Sequence, residues 1–208
     1  MIAAISLMRR QDAVTLNRFR RHWIDIHGPL VCAFAGLRHY VQCHVIASPA
    51  MNERARAMRI DGFPILYFLN DTDRSAAHGS PEMAACNVDS RQFVGAVSRV
   101  ITDVPTDQLP SDRQRQVSLM VLYPDGTDAG TIEAEDIRLE SLPLMRGLMR
   151  YQVREQGAAP ASTVPHLPVT VAAVTQARFD SLVDLEAALE TWTDTAGARF
   201  VVEEHWFV

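Results

Sequence analysis

The chain has 208 residues, 48% of them hydrophobic and 22% charged, with a formal net charge of −5. This is the composition of a folded globular chain rather than a disordered one, and its acidic balance gives no electrostatic reason to expect nucleic acid. No lysine occurs, so all 20 strongly basic residues are arginine; Schiff-base catalysis and a lysine-dependent phosphate loop are excluded.

Cys32, Cys43 and Cys86 are odd in number and well separated. They suggest reduced thiols, with neither a zinc knuckle nor a disulfide framework. The apolar stretch Met1 to Met8 precedes Arg9 and Arg10, the reverse of the order in a secretory leader. No apolar run approaches the ~18 residues that span a bilayer. The expectation is a cytoplasmic protein with neither a membrane nor a nucleic-acid partner.

In chain order, the first probable strand surrounds Ile5 to Met8. A helix then runs from Thr15, its N-cap, with Leu16, Phe19, Trp23, Ile26 and Leu30 in one stripe facing a sheet. Pro29 disfavours helical geometry at Gly28, so the helix is predicted to end or break at His27. That would put His27 at the negative end of the helix dipole, where an imidazolium is favoured. His22 and His27 flank the stripe, separated by roughly 7.5 Å along the axis and roughly 140° around it, which is poor geometry for a shared metal. No metal site is expected.

A second strand begins near Gly36. With period two, Tyr40, Gln42 and His44 share one face, and Leu37, His39, Val41, Cys43 and Val45 share the other. Ile65 to Leu69 form a third strand. Ser90 to Ile101 is predicted to be a second helix, with Phe93, Val94, Val97 and Ile101 on one face, and a weak last strand follows near Thr102 to Val104. Residues 105 to 116 are the linker. In the second half, strands are expected at 117–120, from Gly147, at 169–174 and at 201–207, with helical regions at 131–141 and 181–191.

Two short echoes join the halves. Ile5-Ser6-Leu7-Met8 recurs as Val117-Ser118-Leu119-Met120, and Gly36-Leu37-Arg38-His39-Tyr40 as Gly147-Leu148-Met149-Arg150-Tyr151, at offsets of 112 and 111 residues. Together with the repeated βαββαβ order they point to an α+β fold in which two ferredoxin-like halves, 1–104 and 117–208, pack sheet to sheet as a pseudo-dimeric barrel within one chain. A homodimer of the whole chain is left open.

The segment Phe19-x-x-His22-Trp23-x-x-x-His27-Gly28-Pro29-Leu30, followed by Gly36 to Gln42, resembles the signature region of EthD-type proteins of the dimeric α+β barrel superfamily. Asp61-Gly62-Phe63, Ser80-Pro81-Glu82 and Val88-Asp89-x-x-Gln92-Phe93 are similar to later pieces of the same pattern, so the resemblance covers roughly residues 1 to 104. It implies a pocket between sheet and helices and a small organic substrate. His27 is the residue whose proposed role, general acid or base, carries over first.

The candidate catalytic residues are therefore His27, His22 and Tyr40, with Trp23, Phe19, Gln42 and His44 as substrate contacts and no cofactor. Arg9, Arg10, Arg18, Arg20 and Arg21 are read either as carboxylate binders or as solvated faces. The second half has no Trp or His in its first helical region, which puts a matching site there in doubt. The expected activity is a cofactor-free isomerase, dehydratase or lyase acting on a small apolar or aromatic, lactone or polyketide-like molecule. A non-catalytic ligand carrier and an oxygen-dependent monooxygenase of the same superfamily are the alternatives.

Overall fold

The computed structural model describes residues 1–105, 109, 116–157, 164–190, 192 and 195–208. Most of the expected linker, and Thr191 at the end of the last expected helix, lie outside them.

The first half runs β1 (Ile2–Arg10), α1 (Leu16–His22), a π turn (Trp23–His27), α2 (Gly28–Cys32), β2 (Leu37–Val45), α3 (Glu53–Met58), β3 (Gly62–Phe68), α4 (Asp71–His78), α5 (Pro81–Ser90) and β4 (Val94–Asp103). The second runs β5 (Val117–Pro124), α6 (Ala129–Glu140), β6 (Gly147–Gly157), β7 (Val171–Phe179), α7 (Leu182–Leu189) and β8 (Ala198–Trp206). The strands close into an antiparallel barrel in the order β1-β3-β2-β8-β5-β7-β6-β4. Within the first half β1 pairs with β3 and β4, and β2 with β3; β5, β6, β7 and β8 repeat those pairings. Two seams, β2 to β8 and β4 to β6, join the halves.

Closure leaves no bare sheet edge, and it turns one face of every strand inward. Ile5, Val41, Cys43, Ile65 and Val100 from the first half meet Met120, Met149, Phe200 and Val202 from the second in one buried cluster. Among them lies a polar network. Arg178 donates to Glu204 (3.1 Å), Gln176 to Glu204 (2.7 Å), Tyr151 to Gln176 (2.7 Å) and the Trp206 indole to Glu204 (2.9 Å), while the hydroxyls of Tyr67 and Tyr151 lie 2.8 Å apart. Both charges of the Arg178–Glu204 pair are buried, and the further donors satisfy the carboxylate, as a buried ion pair requires.

Two expectations are corrected. Residues 94 to 101 belong to strand β4, not to a helix. Both faces of this strand are covered, Val97 and Ile101 toward the helices and Ala96 and Val100 toward the barrel centre, so the polar alternation that marks a half-exposed strand is missing and the apolar spacing imitates a helix. The preceding helix is α5, which Ser80 caps by accepting from the backbone N–H of Met83.

Of the two outcomes expected at His27, the first helix shows a break in its α geometry and not an end. The chain passes through a π turn at Trp23–His27 and continues as α2, with Pro29 in its first turn, a position where a proline needs no N–H donor. The inserted turn shifts the apolar stripe. Phe19 and Trp23 stay buried, but Ile26 is 50% exposed and Leu16 37%, while His27, Gly28 and Val31 turn inward.

The two echoes are out of phase with the faces they occupy. Ser6 lies on the helix-covered side of β1 and Ser118 on the barrel interior, and the same holds for Tyr40 and Tyr151. A one-residue slip in a strand exchanges its faces, so these letters repeat without being spatial equivalents.

Candidate functional site

A cavity of about 70 Å³ lies between the outer face of the first-half sheet and helices α2 and α5. Met8, Val31, Phe34, Leu66, Met83, Val94 and Val97 form its apolar wall, and Ser6, His27, Tyr40, Cys86 and Arg99 are among its polar or ionisable members.

His27 enters because of the π turn. An i→i+5 turn places residues five apart on one face, so His22 and His27 both reach the carboxylate of Asp89, near the end of α5. His22 Nε2 is 2.9 Å from Asp89 Oδ1, and His27 Nδ1 is 2.8 Å from Oδ2. An ionised carboxylate accepts only, so both of these ring nitrogens carry the proton. His27 Nε2, the nitrogen that Asp89 does not engage, belongs to a ring that lines the cavity. Burial pushes the Asp89 carboxyl up, but the hydrogen bonds and charges of His27 and His22 outweigh it and hold the group below its ordinary range. Phe93 packs against both imidazoles at ring distances of 4.7 and 5.2 Å.

Tyr40 is held from behind. The Trp23 indole N–H donates to its hydroxyl (3.1 Å), as does Gln42 Nε2 (2.9 Å). Gln42 Nε2 also donates to the Trp23 carbonyl (2.8 Å), which fixes its amide orientation, and His44 Nε2 donates to Gln42 Oε1 (2.9 Å). The Tyr40 oxygen thus receives two hydrogen bonds, its own O–H has no acceptor among the described residues, and the residue lines the cavity. Burial raises its pKa, so the phenol stays protonated.

Trp23 fits because Gly62 gives it room: a Cβ there would sit 2.3 Å from the indole. Gly28 likewise admits Phe207, which stacks on Tyr40 at 5.2 Å. The chain beyond β8 in the second half therefore helps to build the first-half site.

Of the seven residues singled out from sequence, His27 and Tyr40 line the cavity and His22 reaches it through Asp89. Trp23, Gln42 and His44 form the layer behind Tyr40, and Phe19 is core beside Trp23 and Phe93. Arg9 and Arg10 lie away from the cavity, beside Asp12, Arg59 and Asp61, and Arg10 is ion-paired with Asp61. Asp89 and Arg99 were not among the candidates. The signal for Asp89 lay in the Val88-Asp89 segment of the resemblance; Arg99 was hidden by the helix expected over it. Cys86 is no nucleophile, because burial and then the Asp89 charge push its thiol up to about 12. Among the described residues no cluster of three or more candidate ligands for a metal ion occurs, and no helix is long and apolar enough to cross a membrane.

The architecture is an eight-stranded antiparallel barrel with helices on its outer face, consistent with the dimeric α+β barrel fold. Residues 11–96 match the family model of the EthD domain, so the first half of the chain is similar to that domain. No curated protein matches the chain. Among solved structures, an anthrone oxidase-like protein superposes with a TM-score of 0.64 at 11% identity, over 100% of this chain and 91% of that one. A protein from Fusobacterium nucleatum, provisionally assigned as a monooxygenase, gives 0.57 at 8% identity over 100% and 92%. An EthD family protein from Bacillus halodurans gives 0.42 at 20% identity, over 50% of this chain and 97% of its own. At these identities the likeness is one of fold.

Proposed function

We propose that the first-half cavity is the active site of a small-molecule enzyme that moves a proton on an apolar or aromatic substrate, as an isomerase, dehydratase or lyase working without a cofactor. The observation that carries this reading is the His27–Asp89 pair. A carboxylate bound to Nδ1 orients the imidazole and stabilises the imidazolium formed when Nε2 takes a proton. Tyr40 supplies the complementary part, a neutral O–H donor for the oxygen on which negative charge develops. The apolar wall excludes water and strengthens both interactions.

The repeated strand pairings support descent of the chain from two ferredoxin-like units, with one competent site per chain. Among its described residues the second half has no counterpart of the dyad at the matching helix; Asp136, on α6, is paired instead with Arg150 at 2.8 Å.

Oxygen-dependent oxidation of the deprotonated substrate is a second reading, favoured by the names of the anthrone oxidase-like and monooxygenase fold neighbours. Small aromatic, lactone and polyketide-like compounds, assayed for turnover with and without oxygen, distinguish the two. The proposal requires that His27→Gln abolish any turnover found while leaving the fold intact; a fully active variant would remove it. Retained affinity with no turnover by the native protein would instead identify a ligand carrier.

A further inference from the structure

Arg99 projects from β4 toward the helices and lines the same cavity. Its Nε is enclosed and has no hydrogen-bond partner among the described residues. Among the described residues, its NH1 meets the ring nitrogens of His78, at 3.0 and 3.3 Å. No carboxylate pairs with it among the described residues, whereas Arg74 and Arg154 nearby are both paired with Asp71. Burial, and then the charge of Arg74, pull the guanidinium down to about 10, and the same surroundings push His78 down to about 4. His78 is therefore neutral and offers no counter-charge.

A half-buried guanidinium without an anion is costly to the fold. Such a group is retained where a ligand supplies the missing charge. Position adds to this. Across the sheet the order is β2, β3, β1, β4, with Tyr40 opposite Leu66 and Arg99 opposite Ser6. Three inter-strand gaps of ~4.8 Å separate the outer two backbones by about 14 Å, so Tyr40 and Arg99 reach into the cavity from opposite margins with apolar side chains between them.

We propose that the substrate is a small apolar carboxylate, its anionic group held by Arg99 and its reactive carbon presented to His27 at the other end. This rests on the catalytic reading for the role of His27, but the anion site is testable by itself. The probes are benzoate and its neutral isostere benzamide, each followed by thermal stabilisation of the native protein, since a ligand that binds the native state raises its melting temperature. Benzoate is expected to act at roughly tenfold lower concentration than benzamide, because a charge-assisted pair is about twice as strong as a neutral hydrogen bond. The preference should vanish in Arg99→Met, persist in part in Arg99→Lys, and survive His27→Gln. Without ligand, Arg99→Met should melt no lower than the native protein, since it removes an uncompensated charge.

The inference is overturned by equal action of the two probes, by no response to benzoate at ~10 mM, by a preference that outlives Arg99→Met, or by a lower melting temperature of that variant without ligand. Loss of turnover in His27→Gln alongside any of these outcomes would leave the catalytic reading standing without the anion site.

Discussion

His22 and His27, one π turn apart, hold the two oxygens of a single carboxylate, Asp89 Oδ1 and Oδ2, at 2.9 and 2.8 Å. In a continuous α-helix residues with this spacing diverge by roughly 140°. The extra residue in the turn therefore does local structural work with a chemical result: it joins α1 to α5 and aims one imidazole into the cavity.

Asp89→Asn is the first test of that arrangement. The amide cannot accept at both positions, so one ring N–H loses its partner, at a cost of about 1–3 kcal/mol. Turnover should fall by about 10²–10⁴-fold, the range attributed to a positioned general base, whereas His22→Gln should lose less, because His22 acts on His27 only through Asp89. Equal rates in native and Asp89→Asn proteins would show that the dyad is not catalytic.

The same carboxylate predicts an acid response. Its folded pKa is held below the ordinary value, so the unfolded chain binds the proton more readily, and stability is present above the unfolded pKa of about 4. It is lost as pH falls through the lower folded value. Melting temperatures of the native protein should therefore drop below pH about 4 more steeply than those of Asp89→Asn.

His78 acts in a separate window. Its pKa is depressed from 6.5 to about 4 by burial and by the charges of Arg99 and Arg74. Between those values the unfolded state binds more protons, so stability declines as pH falls from 6.5 to about 4. His78→Gln should flatten that interval and leave the steeper loss at lower pH in place; an unchanged slope would show that His78 is freely solvated.

Gly62→Ala tests the support behind Tyr40. The new methyl would meet the Trp23 ring at 2.3 Å, and overpacking of this kind costs about 1–3 kcal/mol. Moving the indole also removes its hydrogen bond to Tyr40, so the fluorescence of Trp23 should change and catalysis fall without any change at the cavity wall. An unaltered spectrum would mean that the ring has room to move.

Much of this was legible in the sequence. The period-two pattern of β2 separated Tyr40, Gln42 and His44 from Val41 and Cys43, because one set is tied by hydrogen bonds to the helix and the other is packed apolar core. β4 was misread because burial on both sides erases alternation. The π turn was missed because Pro29 signals a helix end wherever α geometry alone is considered, and a helix that widens by one residue evades that rule. Asp89 and Arg99 became visible only when α5 and β4 were laid beside α1, a long-range juxtaposition that no local spacing encodes.

Phe207 stacking on Tyr40 carries a kinetic consequence. The contact joins chain positions 167 residues apart, and both seams of the ring are likewise remote in sequence. Such pairings meet only after large loop-closure entropies have been overcome, so the topology belongs to slow folders. Catalytic competence should therefore emerge late, in step with the final joining of β8 to β2, rather than when the first four strands collapse.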